Sequence, residues 1–266
     1  MPSVSANINP QHQRPQTKTN YPLQGVSVVI TGAGSGIGQA IAQQLYTKGA
    51  SLSLNGRTES KLTQLKTTLE TAHPDGPGTI HTHSGDVAHP ETAQQLIKSS
   101  LETHGHIDVL VNNAGICTPI GLIQEISPED ISKTLDTNLK GAIYMMQEAL
   151  KQAMVPASSG LIININSIVG KTPFPYWSVY NASKAGLKSV TDAVSDEQRA
   201  NGIRVCGIYP GAVDTPLWEQ IEPEHRLDPK GMIPAESIAE AVSFMIQQPN
   251  HVLINDITIT PLNPVV

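Results

Sequence analysis

The chain has 266 residues, of which 39% are hydrophobic and 15% charged, and its formal net charge is −6. This composition supplies a large apolar core and excludes an intrinsically disordered protein, and the negative charge disfavours a general nucleic-acid binder, which needs a basic face. Two cysteines and the absence of any apolar run of 18 residues indicate a protein of a reducing compartment without a membrane span, expected in the cytoplasm.

Residues 1 to 22 form a polar segment rich in Pro, Gln, Asn and Thr. This segment cannot bury enough apolar area to offset the entropy of ordering, so we predict a disordered tail. It lacks acidic residues, as an organelle transit peptide does, but it is poor in Arg and shows no amphipathic pattern. Residues 23 to 266 are predicted to form a single domain, because no repeat or linker divides them.

Short β-branched runs alternate with helical patterns in this domain, which is typical of βαβ units. The predicted fold class is therefore α/β, a Rossmann-like doubly wound parallel sheet of about seven strands with helices on both faces. The predicted strands are Val26 to Ile30, Ser51 to Leu54, Thr79 to Ser84, Val109 to Asn112, Leu161 to Ile165, Arg204 to Tyr209 and Ile257 to Thr260. The stretch from Gly211 to Pro234 contains four prolines and is predicted to be an irregular lid or substrate loop.

The first predicted strand runs into the sequence TGAGSGIG, residues 31 to 38, and then into a helix. Main-chain N–H groups at the start of such a helix bind a pyrophosphate, although a glycine-rich turn alone is also a structural elbow between a strand and a helix. Its position after the first strand favours a dinucleotide site. The predicted cofactor contacts in this turn are Gly32, Ser35, Gly36, Ile37 and Gly38.

The second strand ends in LSLNGRTE, where a dinucleotide fold usually has an acidic residue that binds the ribose hydroxyls. Asn55, Gly56 and Arg57 occupy these positions instead. Because an arginine holds a 2′-phosphate that a carboxylate would repel, we predict that NADP(H) is preferred, with NAD(H) possible. The alternative is that Arg57 is only the solvated start of the next helix. Asp86 and Asn112, after the third and fourth strands, are predicted contacts on the adenine and ribose sides.

Six short segments combine glycines, asparagines and hydroxyl side chains in a fixed order along the chain. They are the glycine turn, NNAG at Asn112 to Gly115, Asn138 in TNLKG, Ser167 in NINS, YNASK at Tyr180 to Lys184 and PGAVDTP at Pro210 to Pro216. Over residues 23 to 260 the chain therefore resembles the single-domain branch of the short-chain dehydrogenase/reductases. The resemblance implies an enzyme that interconverts a small ketone or aldehyde and its alcohol with a nicotinamide cofactor. It adds these predicted cofactor contacts: Val87, Ala114, Gly115, Tyr180, Lys184, Pro210, Gly211, Val213 and Thr215.

Tyr180 and Lys184 share a face of the predicted helix, because they stand four residues apart. The pKa of free tyrosine is about 10, and we expect the neighbouring ammonium and a cationic oxidised nicotinamide each to lower it, so that Tyr180 exchanges a proton with the substrate oxygen. Ser167 is placed to polarise the substrate carbonyl. The resemblance implies that Lys184 also binds the nicotinamide ribose and that Asn138 holds a water of a proton relay. Each of these patterns, taken alone, is also compatible with a structural role.

Six of the ten aromatic residues lie between positions 174 and 218, which indicates an apolar substrate mouth or, equally well, a subunit interface. The resemblance implies a homodimer or homotetramer, with the apolar segment GAIYMMQEAL as an interface. No metal site is predicted, since His81 and His83 are only two ligands. The predicted substrate contacts are Ser167, Val169, Tyr180, Gly211 and Trp218.

Two other function classes stay open at this point. One is a dinucleotide-binding regulatory protein without turnover, which the intact set of Ser167, Tyr180 and Lys184 disfavours. The other is an epimerase or dehydratase, which the short chain disfavours. We therefore expect a small-molecule oxidoreductase.

Overall fold

The computed structural model describes residues 21–117, 119–221 and 228–263. The predicted tail lies outside these ranges except for Tyr21 and Pro22, so its disorder stays a prediction. Residue Thr118, residues 222–227 in the predicted lid and residues 264–266 also lie outside the description.

The centre of the protein is a sheet of seven parallel strands, and the chain also forms a separate two-stranded ladder. The strands are β1 Ser27–Ile30, β2 Ser51–Gly56, β3 Ile80–Ser84, β4 Val109–Asn112, β5 Gly160–Ile165, β6 Ile203–Pro210, β7 Val213–Asp214, β8 Ile233–Pro234 and β9 Asp256–Ile259. The order of the large sheet is β3-β2-β1-β4-β5-β6-β9, and all its neighbours pair in parallel. The predicted fold class is confirmed, and each predicted strand agrees with the structure to within two residues.

Helices connect these strands and cover both faces of the sheet. They are α1 Gly36–Thr47, α2 Glu59–Ala72, α3 Pro90–His104, α4 Pro128–Leu135, α5 Gly141–Ala149, α6 Val155–Ala157, α7 Ser178–Gln198 and α8 Ala235–Ile246. Two π-helical turns, Asp136–Lys140 and Leu150–Met154, join α4, α5 and α6 into one helical stretch. None of the described helices is long and apolar enough to cross a membrane.

The core consists of two apolar layers, one on each face of the sheet. Helices α1, α2 and α8 contribute to the first layer, and α3, α5 and α7 contribute to the second. Strand β1 shows how the sequence divides between them: Val28 and Ile30 belong to the first layer and Val29 to the second. Successive side chains of a strand point to opposite faces, so a strand covered on both sides is apolar throughout.

The stretch from Gly211 to Pro234 is more ordered than its proline content predicts. Strands β7 and β8 lie within it and pair in parallel, with Val213 opposite Ile233, and a 3-10 helix spans Pro216–Gln220. The expectation of an irregular loop over the whole stretch is therefore wrong. A two-residue ladder has too short a sequence pattern for the alternation of side chains to reveal it.

Candidate active site

A cleft of about 350 Å³ opens at the carboxyl ends of β1, β2, β4 and β5. The strand order reverses between β1 and β4, where open α/β sheets bind their ligands. A larger depression of about 910 Å³ is lined by α2 alone and holds none of the predicted site residues. The predicted residues that line the strand-end cleft are Gly32, Ser35, Gly36, Ile37, Arg57, Asp86, Val87, Ala114, Gly115, Tyr180, Lys184 and Thr215.

The glycines of the TGAGSGIG turn are required for different physical reasons. Gly32 has φ +65°, and a Cβ there would lie 2.9 Å from the Cα of Ala114. A Cβ on Gly38 would lie 2.5 Å from Nδ2 of Asn113 and would overlap the main-chain oxygen of Gly32. Because there is no room for a side chain at Gly38, a glycine there permits the close packing of α1 behind the turn. Of the three glycines predicted in this turn, only Gly32 and Gly36 line the cleft.

Asn113, which the sequence reasoning missed, holds the glycine turn against the end of β4. Its Nδ2 donates to the main-chain oxygen of Thr31 at 3.0 Å, and its main-chain N–H donates to Oγ1 of Thr31 at 3.0 Å. Asn112 points elsewhere: it is buried and donates from Nδ2 to Oδ1 of Asn164 at 2.9 Å. The structure thus does not bring Asn112 into the cleft. Alternation along the strand was the signal that could have separated the two neighbours.

The amino terminus of α1 faces the cleft and has no neutralising group of its own, and Glu219 of the segment after β7 also lines the cleft. Ser35 occupies the N-cap position but makes no side-chain capping hydrogen bond, and the first turn has no acidic residue. Arg57 and Lys61, both exposed, line the same cleft, and neither makes a salt bridge among the described residues. Lys61 was not predicted, although its spacing of four residues from Arg57 was a readable signal. This end of the cleft therefore attracts anions.

Asp86 is the acidic side chain among the predicted cofactor contacts. Its Oδ1 accepts a hydrogen bond from the main-chain N–H of Ala88 at 3.0 Å, which orders the turn before α3. The neighbouring Val87 is buried, and its side chain leaves no room for a Cβ on Gly141 of α5. Both residues line the cleft on the side of β3.

Tyr180 and Lys184 line the other end of the cleft, and Ser167, which is not among its lining residues, contacts Tyr180. Lys184 is buried, its Nζ donates to the main-chain oxygen of Ile165 at 2.9 Å, and the same Nζ lies 5.8 Å from the ring centroid of Tyr180. Ser167 hydrogen-bonds with the hydroxyl of Tyr180. Helix α7 supplies Tyr180 and Lys184 on one face, and the end of β5 supplies Ser167, so the predicted trio is brought together.

Burial shifts the pKa values of Tyr180 and Lys184. It raises the pKa of Tyr180, and the nearby Cys117 thiol raises it further, whereas the hydrogen bond from Ser167 lowers it. Burial also lowers the pKa of Lys184 to about 8, against the opposing effect of Cys117. Burial outweighs the other effects, so the net pKa of Tyr180 is raised, because a site that excludes water disfavours both charged forms. The expectation that the neighbouring ammonium lowers this pKa stays a prediction.

Asn138 lies beside the trio but does not line the cleft. It belongs to the first π-helical turn, where its Nδ2 donates to the main-chain oxygen of Ile116 at 2.7 Å and to Oγ of Ser183 at 3.1 Å. Its Oδ1 accepts from the main-chain N–H of Ile116 at 2.8 Å. Asn138 therefore fastens the segment after β4 to α7, and the predicted water relay stays a prediction.

The predicted contacts around the substrate fall into two groups. Trp218 lies near the trio, with its ring 6.2 Å from that of Trp177, which in turn lies 5.7 Å from Tyr180. The others lie behind the cleft: Val169 is buried and donates its main-chain N–H to Ser167, and Gly211 donates its own to the oxygen of Ile259 at 2.8 Å. Pro210 and Val213 belong to strands and do not line the cleft. The same holds for Ser167, Val169, Gly211 and Trp218.

Potential metal ligands are dispersed in the part of the chain that the structure describes. Groups of three or more histidine, cysteine or acidic side chains that could hold a metal ion do not occur among these residues. His81 bonds to Ser99 at 3.0 Å, in keeping with a place on the sheet surface. Cys117 and Cys206 are free and buried, and burial raises the pKa of each thiol to about 12.

A doubly wound parallel sheet, a glycine turn after its first strand and a tyrosine–lysine pair in the strand-end cleft define a nucleotide-dependent oxidoreductase of the Rossmann type. A comparison of the chain's sequence with known protein families gives a more specific classification. The chain belongs to the short chain dehydrogenase family, whose sequence model matches residues 27–226.

Individual relatives agree with this family. The chain is 37% identical to an uncharacterised oxidoreductase of Staphylococcus saprophyticus, over 90% of this chain and 99% of the relative. An alcohol dehydrogenase from the archaeon Thermococcus sibiricus, solved with 5-hydroxy-NADP, has a TM-score of 0.80 at 27% identity and covers 89% of this chain and 97% of its own. A metagenomic short-chain oxidoreductase solved with NADP has a TM-score of 0.77 at 29% identity, over 91% and 100% of the two chains.

Proposed function

We propose that this protein is an NADP(H)-dependent oxidoreductase that interconverts a small ketone or aldehyde and its alcohol, with Tyr180 as the acid and base. The observation that carries the proposal is the hydrogen bond of Ser167 to Tyr180, which lines one end of a cleft together with Lys184, while the other end presents Arg57. A protein that only bound a dinucleotide would need the Arg57 end but would have no use for the two hydroxyls.

The residues of the cleft fit a dinucleotide phosphate. The uncapped start of α1 suits a pyrophosphate, and Gly56 stands where a carboxylate would oppose a 2′-phosphate. Arg57 and Lys61 supply two cations for that phosphate. The structures of the Thermococcus enzyme with 5-hydroxy-NADP and of the metagenomic enzyme with NADP also support NADP(H) over NAD(H). Lys184, at the opposite end, is the candidate for the nicotinamide ribose.

The nicotinamide, when bound, supplies or accepts the hydride, and side chains of the protein donate or accept the proton. In carbonyl reduction the hydroxyls of Ser167 and Tyr180 hold the substrate oxygen, and Tyr180 gives it the proton of its own hydroxyl. The raised pKa of Tyr180 keeps this hydroxyl protonated at neutral pH. The Lys184 ammonium then stabilises the phenolate that remains, because its Nζ is held beside the ring by the oxygen of Ile165. Oxidation of the alcohol runs the same proton transfer in reverse.

Activity with a carbonyl panel tests this proposal. Purified protein is mixed with NADPH or NADH and each carbonyl compound, and the cofactor absorbance is followed for the wild type and for Tyr180→Phe. We expect turnover with NADPH, weaker turnover with NADH, and a loss of at least about a hundredfold in kcat for Tyr180→Phe. Binding of NADPH without turnover on any carbonyl or alcohol would instead favour the regulatory dinucleotide-binding protein.

The assembly and location are further parts of the proposal. A homodimer or homotetramer agrees with the family, and light scattering after size-exclusion chromatography tests it against the 28.4 kDa of a monomer. Two free, buried thiols, Cys117 and Cys206, support a reducing compartment such as the cytoplasm.

A further inference from the structure

Trp177 connects the catalytic tyrosine to the segment after β7. Its main-chain oxygen accepts from the N–H of Asn181 at 2.7 Å, so the residue is fixed at the first turn of α7, three positions before Tyr180. Its ring packs edge-on against Tyr180 on one side and against Trp218 on the other. Trp218 is itself anchored, since its Nε1 donates to the main-chain oxygen of Val213 at 2.8 Å. The two indoles therefore form an apolar wall that begins beside the ring of Tyr180.

The wall is flanked by a rim of exposed apolar side chains. Leu122, Ile123, Phe174 and Tyr176 are 45%, 57%, 42% and 56% exposed, unusually high fractions for large hydrophobic residues. Leu122 and Ile123 lie in the loop between β4 and α4, and Phe174 and Tyr176 lie in the loop between β5 and α7. The hydrogen bond from the N–H of Gly121 to the main-chain oxygen of Tyr176, at 2.9 Å, holds these two loops together. Four large apolar groups on two joined loops, one loop leading directly into Trp177, indicate a binding surface and not scattered exposure.

The charges near this rim do not favour an anionic ligand. Glu125 ends the short 3-10 helix that begins at Ile123 and adds a negative charge there. Lys171, a cation in the loop before α7, is held by Asp256 at 2.8 Å and Thr258 at 2.9 Å and covers the ring of Tyr209. Among the described residues of these two loops, no unengaged lysine or arginine is left to hold a carboxylate or phosphate.

We infer that the substrate is an uncharged ketone or aldehyde with a hydrophobic group of several carbon atoms, which lies on Trp177 and Trp218 and extends toward the rim. This inference rests on the proposed function, because it orients the carbonyl oxygen at Tyr180. Trp177 is then a specificity-determining residue. Each methylene that the wall removes from water improves transition-state binding by up to about fourfold.

A homologous series of methyl ketones, from acetone to hexyl methyl ketone, tests the inference. The kcat/KM of the wild-type protein with NADPH is expected to rise about two- to fourfold for each added methylene over the first members of the series. Pyruvate, which is small and anionic, is expected to be the poorest carbonyl. In Trp177→Ala the ratio of kcat/KM between the longest and the shortest ketone falls by at least about tenfold, and Trp177→Phe restores most of it.

Phe244→Ala is the matched control, since Phe244 is an aromatic residue that is 54% exposed on α8 and belongs to neither loop. It is expected to leave the ratio between the longest and the shortest ketone unchanged. A wild-type kcat/KM that is independent of chain length, or highest for pyruvate, would overturn the inference and leave the proposed function standing. The absence of turnover with every ketone, despite NADPH binding, would overturn the proposed function and the inference together.

Discussion

The side chain of Asn166 donates a hydrogen bond from Nδ2 to the main-chain oxygen of Lys184, with the two atoms 3.2 Å apart. Its Oδ1 accepts from the main-chain N–H of Ser167 at 2.9 Å. One buried amide therefore ties the end of β5 to α7 and sets the separation of two groups that the proposed chemistry needs. Gly170 completes the contact, because a Cβ there would lie 2.6 Å from Oδ1 of Asn166.

The first prediction concerns Asn166→Ala, which leaves the main-chain oxygen of Lys184 and the N–H of Ser167 without their partner. We expect kcat for carbonyl reduction to fall by about tenfold or more, while KM for NADPH changes little, because the cation end of the cleft is untouched. Asn166→Asp keeps the acceptor but loses the donor, so its kcat should lie between that of the wild type and that of Asn166→Ala. An unchanged kcat in Asn166→Ala, or an equal loss of NADPH affinity, would contradict a positioning role.

Cofactor preference gives the second prediction. Arg57→Ala and Lys61→Ala each remove a cation from the cleft, so KM for NADPH is expected to rise about 10- to 100-fold for Arg57→Ala and less for Lys61→Ala. KM for NADH should stay nearly constant, since NADH lacks the 2′-phosphate. Lys66→Ala is the control: Lys66 is on α2 but pairs with Glu70 at 3.8 Å outside the cleft. An equal rise of the KM values for NADPH and NADH in Arg57→Ala would show that Arg57 does not bind the 2′-phosphate.

The third prediction is a pH dependence of the two reaction directions. Reduction needs a protonated Tyr180 and a charged Lys184, and the pKa of Lys184 is lowered to about 8. The kcat/KM for the ketone is therefore expected to be constant below that pH and to decline above it. Alcohol oxidation needs the phenolate, so the raised pKa of Tyr180 makes its rate rise with pH across the neutral range. Steady-state rates in both directions from pH 6 to 10 check this, and a reduction rate that increases with pH would refute it.

The fourth prediction concerns backbone strain in the rim. Tyr176 has φ +68°, a left-handed conformation that glycine adopts without a steric penalty. We expect Tyr176→Gly to raise the free energy of unfolding by about 1 kcal/mol, measured by urea denaturation. Phe174→Gly, at a neighbouring position without a positive φ, is the comparison and should lower stability. A loss of stability in Tyr176→Gly would mean that its ring contacts outweigh the strain.

Much of the fold could be predicted from the sequence because its signals are local. A strand covered on both faces needs a short β-branched run, and α1 needs apolar residues at every third or fourth position, so the seven large-sheet strands and their order along the chain are readable. The pair Tyr180 and Lys184 was equally readable, since helical spacing alone puts both on one face. The ladder of β7 and β8 was missed because two residues carry no periodic pattern.

Within the site, the sequence by itself determined which chemical groups are available: two hydroxyls, an ammonium, a glycine turn at a helix start and an arginine in place of a carboxylate. Only the tertiary structure decided how they act. It turned Asn113 toward the glycine turn and Asn112 into the core, made Asn166 a bridge to Lys184, and raised the pKa of Tyr180. The reason is that burial and hydrogen bonding depend on residues distant in the sequence, which meet only when the sheet and helices pack.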